Sequence, residues 1–125
     1  MSKSVLLIDD EAGVRTILGL ALADAGYQVF TATRARDGLD IFRAHKPDAV
    51  ITDLVMPGRG GCEALRVIHE ESPETPVILL TGLSDQETRA FCHGQPEALV
   101  LRKPVDTAAL EETLRAALEQ APAGT

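Results

Sequence analysis

The chain has 125 residues, with twelve Lys and Arg against nineteen Asp and Glu, a net charge of −7 and 45% hydrophobic residues. That is enough apolar material for one ordinary domain, and it excludes a collagen-like, disordered or disulfide-dense chain. The acidic balance opposes non-specific binding to a phosphate backbone, and no apolar run approaches the roughly 20 residues that span a bilayer.

In chain order, Val5-Leu6-Leu7-Ile8 reads as a first strand. Val14, Ile17, Leu18, Ala21, Leu22 and Ala25 then fall at i, i+3, i+4 spacing, which predicts a helix that Gly26 ends. Val29-Phe30 is the second strand, and Leu39 with Phe42 marks a second helix with Thr33 as its N-cap. Ala49-Val50-Ile51 is the third strand, followed by a helix carrying Cys62, Leu65 and Ile68. After the fourth strand, Val77-Ile78-Leu79-Leu80, the run Ser84-Asp85-Gln86-Glu87 reads as a capping box. It opens a short helix, because Gly94 and Pro96 follow soon. Leu99-Val100-Leu101 is the fifth strand, and Leu110, Leu114, Ala117 and Leu118 mark a fifth helix with Asp106 as N-cap. Residues 1–120 read as one domain, and residues 121–125, without periodicity, as a flexible tail or linker.

Three of the apolar runs are continuous rather than alternating, which suits strands buried on both faces. Strict alternation of strands and helices predicts an α/β fold, a doubly wound five-stranded parallel sheet with five helices. Of the common orders, the flavodoxin-like 2-1-3-4-5 suits a chain of five strands. The N-terminal apolar stretch is too short for a signal peptide and runs into acid. Cys62 and Cys92 have neither metal-binding nor redox spacing, so a cytoplasmic protein with reduced thiols is expected.

The polar residues without a structural task fall at strand ends. Asp9 and Asp10 follow the first strand, Asp53 ends the third, Thr81 ends the fourth and Lys103 lies just past the fifth. Open α/β sheets bind ligands at these carboxyl ends. In the order 2-1-3-4-5, one pocket would hold three carboxylates, a hydroxyl and an ammonium. Two carboxylates about 4 Å apart cost roughly 4 kcal/mol at an effective dielectric near 20, so three need a divalent cation or a raised pKa. Hard oxygen donors favour Mg²⁺, with Mn²⁺ as a substitute, and the lack of nearby Cys or His disfavours Zn²⁺. Such a site is set up to receive a phosphoryl group. Cation and Lys103 neutralise its oxygens, Thr81 donates to one, and Asp53 attacks in line.

Taken together, these residues give the chain a clear likeness. Ile8-Asp9-Asp10-Glu11, Pro47-Asp48-Ala49-Val50-Ile51-Thr52-Asp53-Leu54-Val55-Met56-Pro57-Gly58, Leu80-Thr81-Gly82 and Lys103-Pro104 resemble the receiver domain of two-component response regulators. The likeness covers nearly the whole chain. It implies that Asp53 is the phosphoacceptor and that Asp10, Asp53 and the backbone carbonyl of Val55 ligate Mg²⁺, with Asp9 acting through a water. It implies that Thr81 moves toward the phosphoryl group, that Lys103 pairs with Asp53 or its phosphate, and that the Lys103–Pro104 peptide bond is cis. The implied partners are a sensor histidine kinase or phosphotransfer protein and a downstream effector that the sequence does not identify. No direct nucleic-acid or membrane contact is implied, and a homodimer through the last two helices is compatible. The implied activity stops short of an enzyme, with at most self-phosphorylation from acyl phosphates and slow loss of the phosphoryl group.

Two departures stand out. Receivers usually carry Tyr or Phe three positions before the Lys, where this chain has Val100. Valine has no ring to move, so phosphorylation chemistry is expected to persist while output across the last helices and strand is weakened. Gly94-Gln95-Pro96-Glu97 replaces the usual Gly-Ala turn, and the Thr-Gly-Leu-Ser and Lys-Pro-Val segments lean toward receivers of hybrid sensor kinases.

Simpler and rival readings exist for each part. Asp9-Asp10 alone would be a turn and N-cap, Cys62 a core residue, Cys92 a residue of the fourth helix, and His45, His69 and His93 surface groups. A haloacid-dehalogenase-type phosphatase also uses an Asp nucleophile and Mg²⁺, but it needs Asp-x-Asp, and Asp9-Asp10 lacks the intervening residue. A receiver-like interaction module with altered output rests on Val100 alone.

Overall fold

The computed structural model describes residues 2–57 and 60–120. The tail expected at 121–125, and Gly58 of the loop after the third strand, lie outside the described residues. Ten elements alternate: β1 (Ser4–Ile8), α1 (Ala12–Asp24), β2 (Gln28–Ala32), α2 (Ala35–His45), β3 (Ala49–Asp53), α3 (Gly61–Glu71), β4 (Val77–Thr81), α4 (Asp85–Phe91), β5 (Leu99–Arg102) and α5 (Thr107–Gln120). The five strands form one parallel sheet in the order β2-β1-β3-β4-β5. This is the flavodoxin-like arrangement expected from the sequence.

Strand periodicity divides the core into two layers. Leu6, Ile8, Val50 and Leu79 point to one face and pack with Leu39 and Phe42 of α2 and Leu65 and Ile68 of α3. Val5, Leu7, Ile51, Ile78 and Leu80 point to the other and pack with Leu18 and Leu22 of α1 and Leu110 and Leu114 of α5. Residues of β1, β3 and β4 therefore face apolar helices on both sides, which is why their sequences are continuous apolar runs.

The helix ends mostly follow their sequence signals. Ser84 and Glu87 form a reciprocal capping box at α4, whose seven residues make it the short helix expected. Asp106 accepts the Ala108 N–H at 2.9 Å at the start of α5, and Gly26 takes a left-handed φ of 100° after α1. One expectation is corrected. The N-cap of α2 is Arg34, not Thr33, and it offers no side-chain cap. Packing sets this start instead: Ala35 and Gly38 are buried, and a Cβ on Gly38 would run into the Ile8 side chain. Ile17 belongs to the apolar stripe of α1 by spacing, yet it is 62% exposed. It sits about 100° around the helix from Leu18, beyond the arc the sheet covers. Among the described residues, no helix is long and apolar enough to cross a membrane.

Candidate phosphoacceptor site

Strand register, rather than loop conformation, assembles the site. The Asp9 N–H donates to the Ala32 carbonyl at 3.1 Å, carrying the β1–β2 pairing one step past β1. Asp53 closes β3 opposite Leu80 of β4, and the next residue's N–H donates to the Leu80 carbonyl at 2.8 Å. Thr81 closes β4, and its carbonyl accepts the Lys103 N–H at 2.7 Å. The Lys103–Pro104 peptide bond is cis. Asp9, Asp53, Thr81 and Lys103 are thus held at the carboxyl edge by backbone hydrogen bonds to neighbouring strands at or next to each of them, and Asp10 follows Asp9 in the exposed loop.

One carboxylate oxygen each from Asp9, Asp10 and Asp53 lie within 4.8 Å of one another. Asp9 and Asp53 are buried and Asp10 is exposed. Lys103 Nζ donates to Asp9 Oδ2 at 3.1 Å, to Asp53 Oδ2 at 3.1 Å and to Glu11 Oε1 at 3.3 Å. Asp9 also keeps the turn role open to it from sequence: its Oδ1 accepts the Glu11 N–H at 2.9 Å. Thr81 is fully buried, and its Oγ1 accepts the Leu83 N–H at 3.0 Å. As a hydroxyl it retains one O–H donor beyond that bond.

The electrostatics divide the roles. Burial pushes the Asp53 carboxyl above its usual range, and the charge of Asp9 adds to this. Lys103, by hydrogen bond and charge, and the backbone N–H of Val55 pull it partly back. Burial works against the Lys103 ammonium, but its bonds to Asp53 and Asp9 outweigh that and raise its pKa. One ammonium offsets only part of three converging carboxylates. The set of hard oxygens fits a divalent cation, which would complete the neutralisation.

The sequence reading did not assign two features of this site. Glu11 brings a fourth carboxylate to Lys103. Its place beside Asp9-Asp10 was visible, but its reach to a lysine in the far half of the chain was not. Gly60 and Gly61 let the loop after Asp53 fold back on the strand. The Gly61 N–H donates to the Leu54 carbonyl at 3.1 Å. A Cβ on Gly60 would lie 2.8 Å from that oxygen, and one on Gly61 would run into the Asp53 carbonyl. The paired glycines were the available signal. His45, His69 and His93 are exposed, as expected, with the His45 ring stacked on Phe30 at 4.6 Å. Cys62 is half-buried rather than a core residue, and Cys92 is the residue that ends α4.

Known proteins share this fold. The family described as the response regulator receiver domain matches residues 5–115. The transcriptional regulatory protein GlrR of Escherichia coli K12 is 36% identical over 121 residues, covering 97% of this chain and 27% of that protein. AfsQ1 of Streptomyces coelicolor is 35% identical, covering 94% of this chain and 52% of that one. The chain therefore spans about a quarter to a half of these relatives. Among solved structures, a response regulator receiver domain from Clostridium thermocellum superposes with a TM-score of 0.86 at 32% identity, covering 94% of this chain and 95% of that one. A CheY-like receiver domain from Methanospirillum hungatei gives 0.89 at 25% identity, covering 97% of both chains.

Proposed function

Because the chain belongs to the response regulator receiver family, we propose that it is the phosphoaccepting switch of a two-component relay, with Asp53 taking a phosphoryl group from a phosphohistidine. The observation that carries this reading is the Asp9, Asp10 and Asp53 cluster bonded to Lys103. A carboxylate oxygen of Asp53 forms the new O–P bond as the N–P bond to histidine breaks. Lys103 stays protonated and takes up negative charge on the phosphoryl oxygens, and the Thr81 hydroxyl donates to one of them. Asp9, Asp10, Asp53 and the carbonyl of Val55 would hold Mg²⁺, which supplies positive charge to the phosphoryl oxygens when bound. A cytoplasmic setting suits a histidine-kinase partner.

An apolar cavity of about 450 Å³ adjoins the site, lined by Val14, Ile17, Leu18, Pro104 and Val105, with Glu11 and Lys103 at its polar end. Exposed Ile17 beside the reacting residues gives a donor protein an apolar surface to dock on. Val100, 42% exposed on β5, offers no ring to report the state of Thr81, so output across α4, β5 and α5 is weak or runs elsewhere.

The test is direct. Incubation with Mg²⁺ and a small acyl phosphate adds one phosphoryl group to the intact chain, chelation of the cation prevents it, and Asp53→Asn abolishes it. Wild-type protein that stays unmodified with both acyl phosphate and a cognate kinase would overturn the reading.

A further inference from the structure

Cys62 lies in the first turn of α3, and Cys92 is the residue that ends α4. They are far apart in sequence, and no spacing rule connects them. The fold lays them side by side. Cys62 Sγ is 3.9 Å from the carbonyl oxygen of Phe91, the neighbour of Cys92. The two thiols lie close enough to influence each other electrostatically, both are half-buried, and both pack on the core layer that holds α2 and α3. The acidic site uses neither. Burial, then the adjacent Cys92, push the Cys62 thiol up to about 11, which leaves it protonated at rest.

We propose that Cys62 and Cys92 form a thiol–disulfide redox site that a small disulfide, such as oxidised glutathione, closes. Cys92 gives its proton to solvent as its sulfur attacks one glutathione sulfur, forms a mixed disulfide and expels one glutathione thiolate, which takes up a proton. Cys62 passes its proton to solvent and attacks the Cys92 sulfur, which expels the second glutathione. The two cysteines lose two electrons and two protons, and the reagent gains both. Closure needs the sulfurs to reach about 2.05 Å. Cys92 ends α4, with its N–H on the Thr88 carbonyl and its carbonyl accepting the Gln95 N–H, both at 2.9 Å, so closure is a movement of its side chain and of this turn. Thr88 Oγ1 and Gln95 Oε1, on either side of Cys92 in sequence, are the buried side-chain oxygens without a hydrogen-bond partner among the described residues.

The crosslink would also reach the acidic site. Cys62 adjoins Gly61, whose N–H holds the Leu54 carbonyl and which has no room for a Cβ against the Asp53 carbonyl. A tether from α4 fixes that turn and restrains the loop carrying Val55. This coupling rests on the phosphoacceptor reading, whereas the thiol chemistry does not. A small misplacement near a reacting group slows a reaction out of proportion to its size, so Asp53 labelling should fall about tenfold on closure.

The experiment treats the full chain with oxidised glutathione and reads its intact mass. The expected product has lost two hydrogens, retains no glutathione, and on digestion gives one crosslinked pair holding Cys62 and Cys92. Cys62→Ser should instead stop at a glutathione adduct on Cys92. A wild-type chain that stops at the adduct, pairs with a second chain or does not react overturns the site. For the coupling, oxidised chain should label slowly with acyl phosphate, recover on reduction by dithiothreitol, and show no redox dependence as the Cys62→Ser/Cys92→Ser double variant. Equal labelling before and after oxidation overturns the coupling. A reduced chain that never labels removes the coupling along with the phosphoacceptor reading, while the mass shift still decides the thiol site.

Discussion

The middle of the sheet and its β5 edge are built on opposite terms. All of β3 and β4 and the last four residues of β1 are buried, with helices over both faces. On β5, Leu99 and Val100 are 44% and 42% exposed. The acids stand on the rigid middle, and the lysine that neutralises them comes from the lightly covered edge. Burial encloses Asp9 and Asp53 and raises the pKa of Asp53, while Lys103 follows directly on the lightly covered edge strand.

The contrast can be broken most severely at its centre. Leu79→Ala removes a fully packed β4 side chain and should cost about 3 kcal/mol in urea unfolding. A loss below about 1 kcal/mol would mean that the middle is no tighter than the edge. Gly61→Ala comes next. Its Cβ would run into the Asp53 carbonyl, and the forced shift should cost about 2 kcal/mol and slow Asp53 labelling. Wild-type stability and labelling in this variant would show that the loop is free to move.

Asp53→Asn should have a smaller, opposite effect on stability, raising Tm at neutral pH. Burial lifts the Asp53 pKa above 3.8, so the native chain holds this proton more tightly than the unfolded chain. The wild type therefore loses stability as pH rises from the unfolded value through the raised native one. The Asn variant escapes that loss. Its advantage should be full above this window and vanish as pH falls below 3.8, and an advantage that does not change with pH would contradict the burial argument. The smallest effect belongs to the edge: Val100→Thr should change stability by no more than about 0.5 kcal/mol. A larger loss would show that β5 is packed as the central strands are.

Much of this was legible from residues alone. The continuous runs of β1, β3 and β4 announced strands covered on both sides, and the polar residues left at their ends pointed to one edge. Ser84 and Asp106 marked helix starts because capping is a local hydrogen bond to a backbone group a few residues away. Thr33 failed as a cap because contact between α2 and Ile8, made across the chain, set the start of that helix. Ile17 shares the apolar spacing of α1 yet is exposed, because spacing gives the direction of a face but not the width that the sheet covers.

The sequence by itself determined the alternation of elements, and with it the parallel sheet and the identity of the acids, hydroxyl and lysine at its carboxyl edge. These follow from periodicity and from short-range bonds. Only the tertiary structure decided that Glu11 reaches Lys103, that Gly61 must lack a side chain beside Asp53, and that Cys62 meets Cys92. Each joins residues from different elements. Such meetings depend on how strands register and helices seat, which no local pattern encodes.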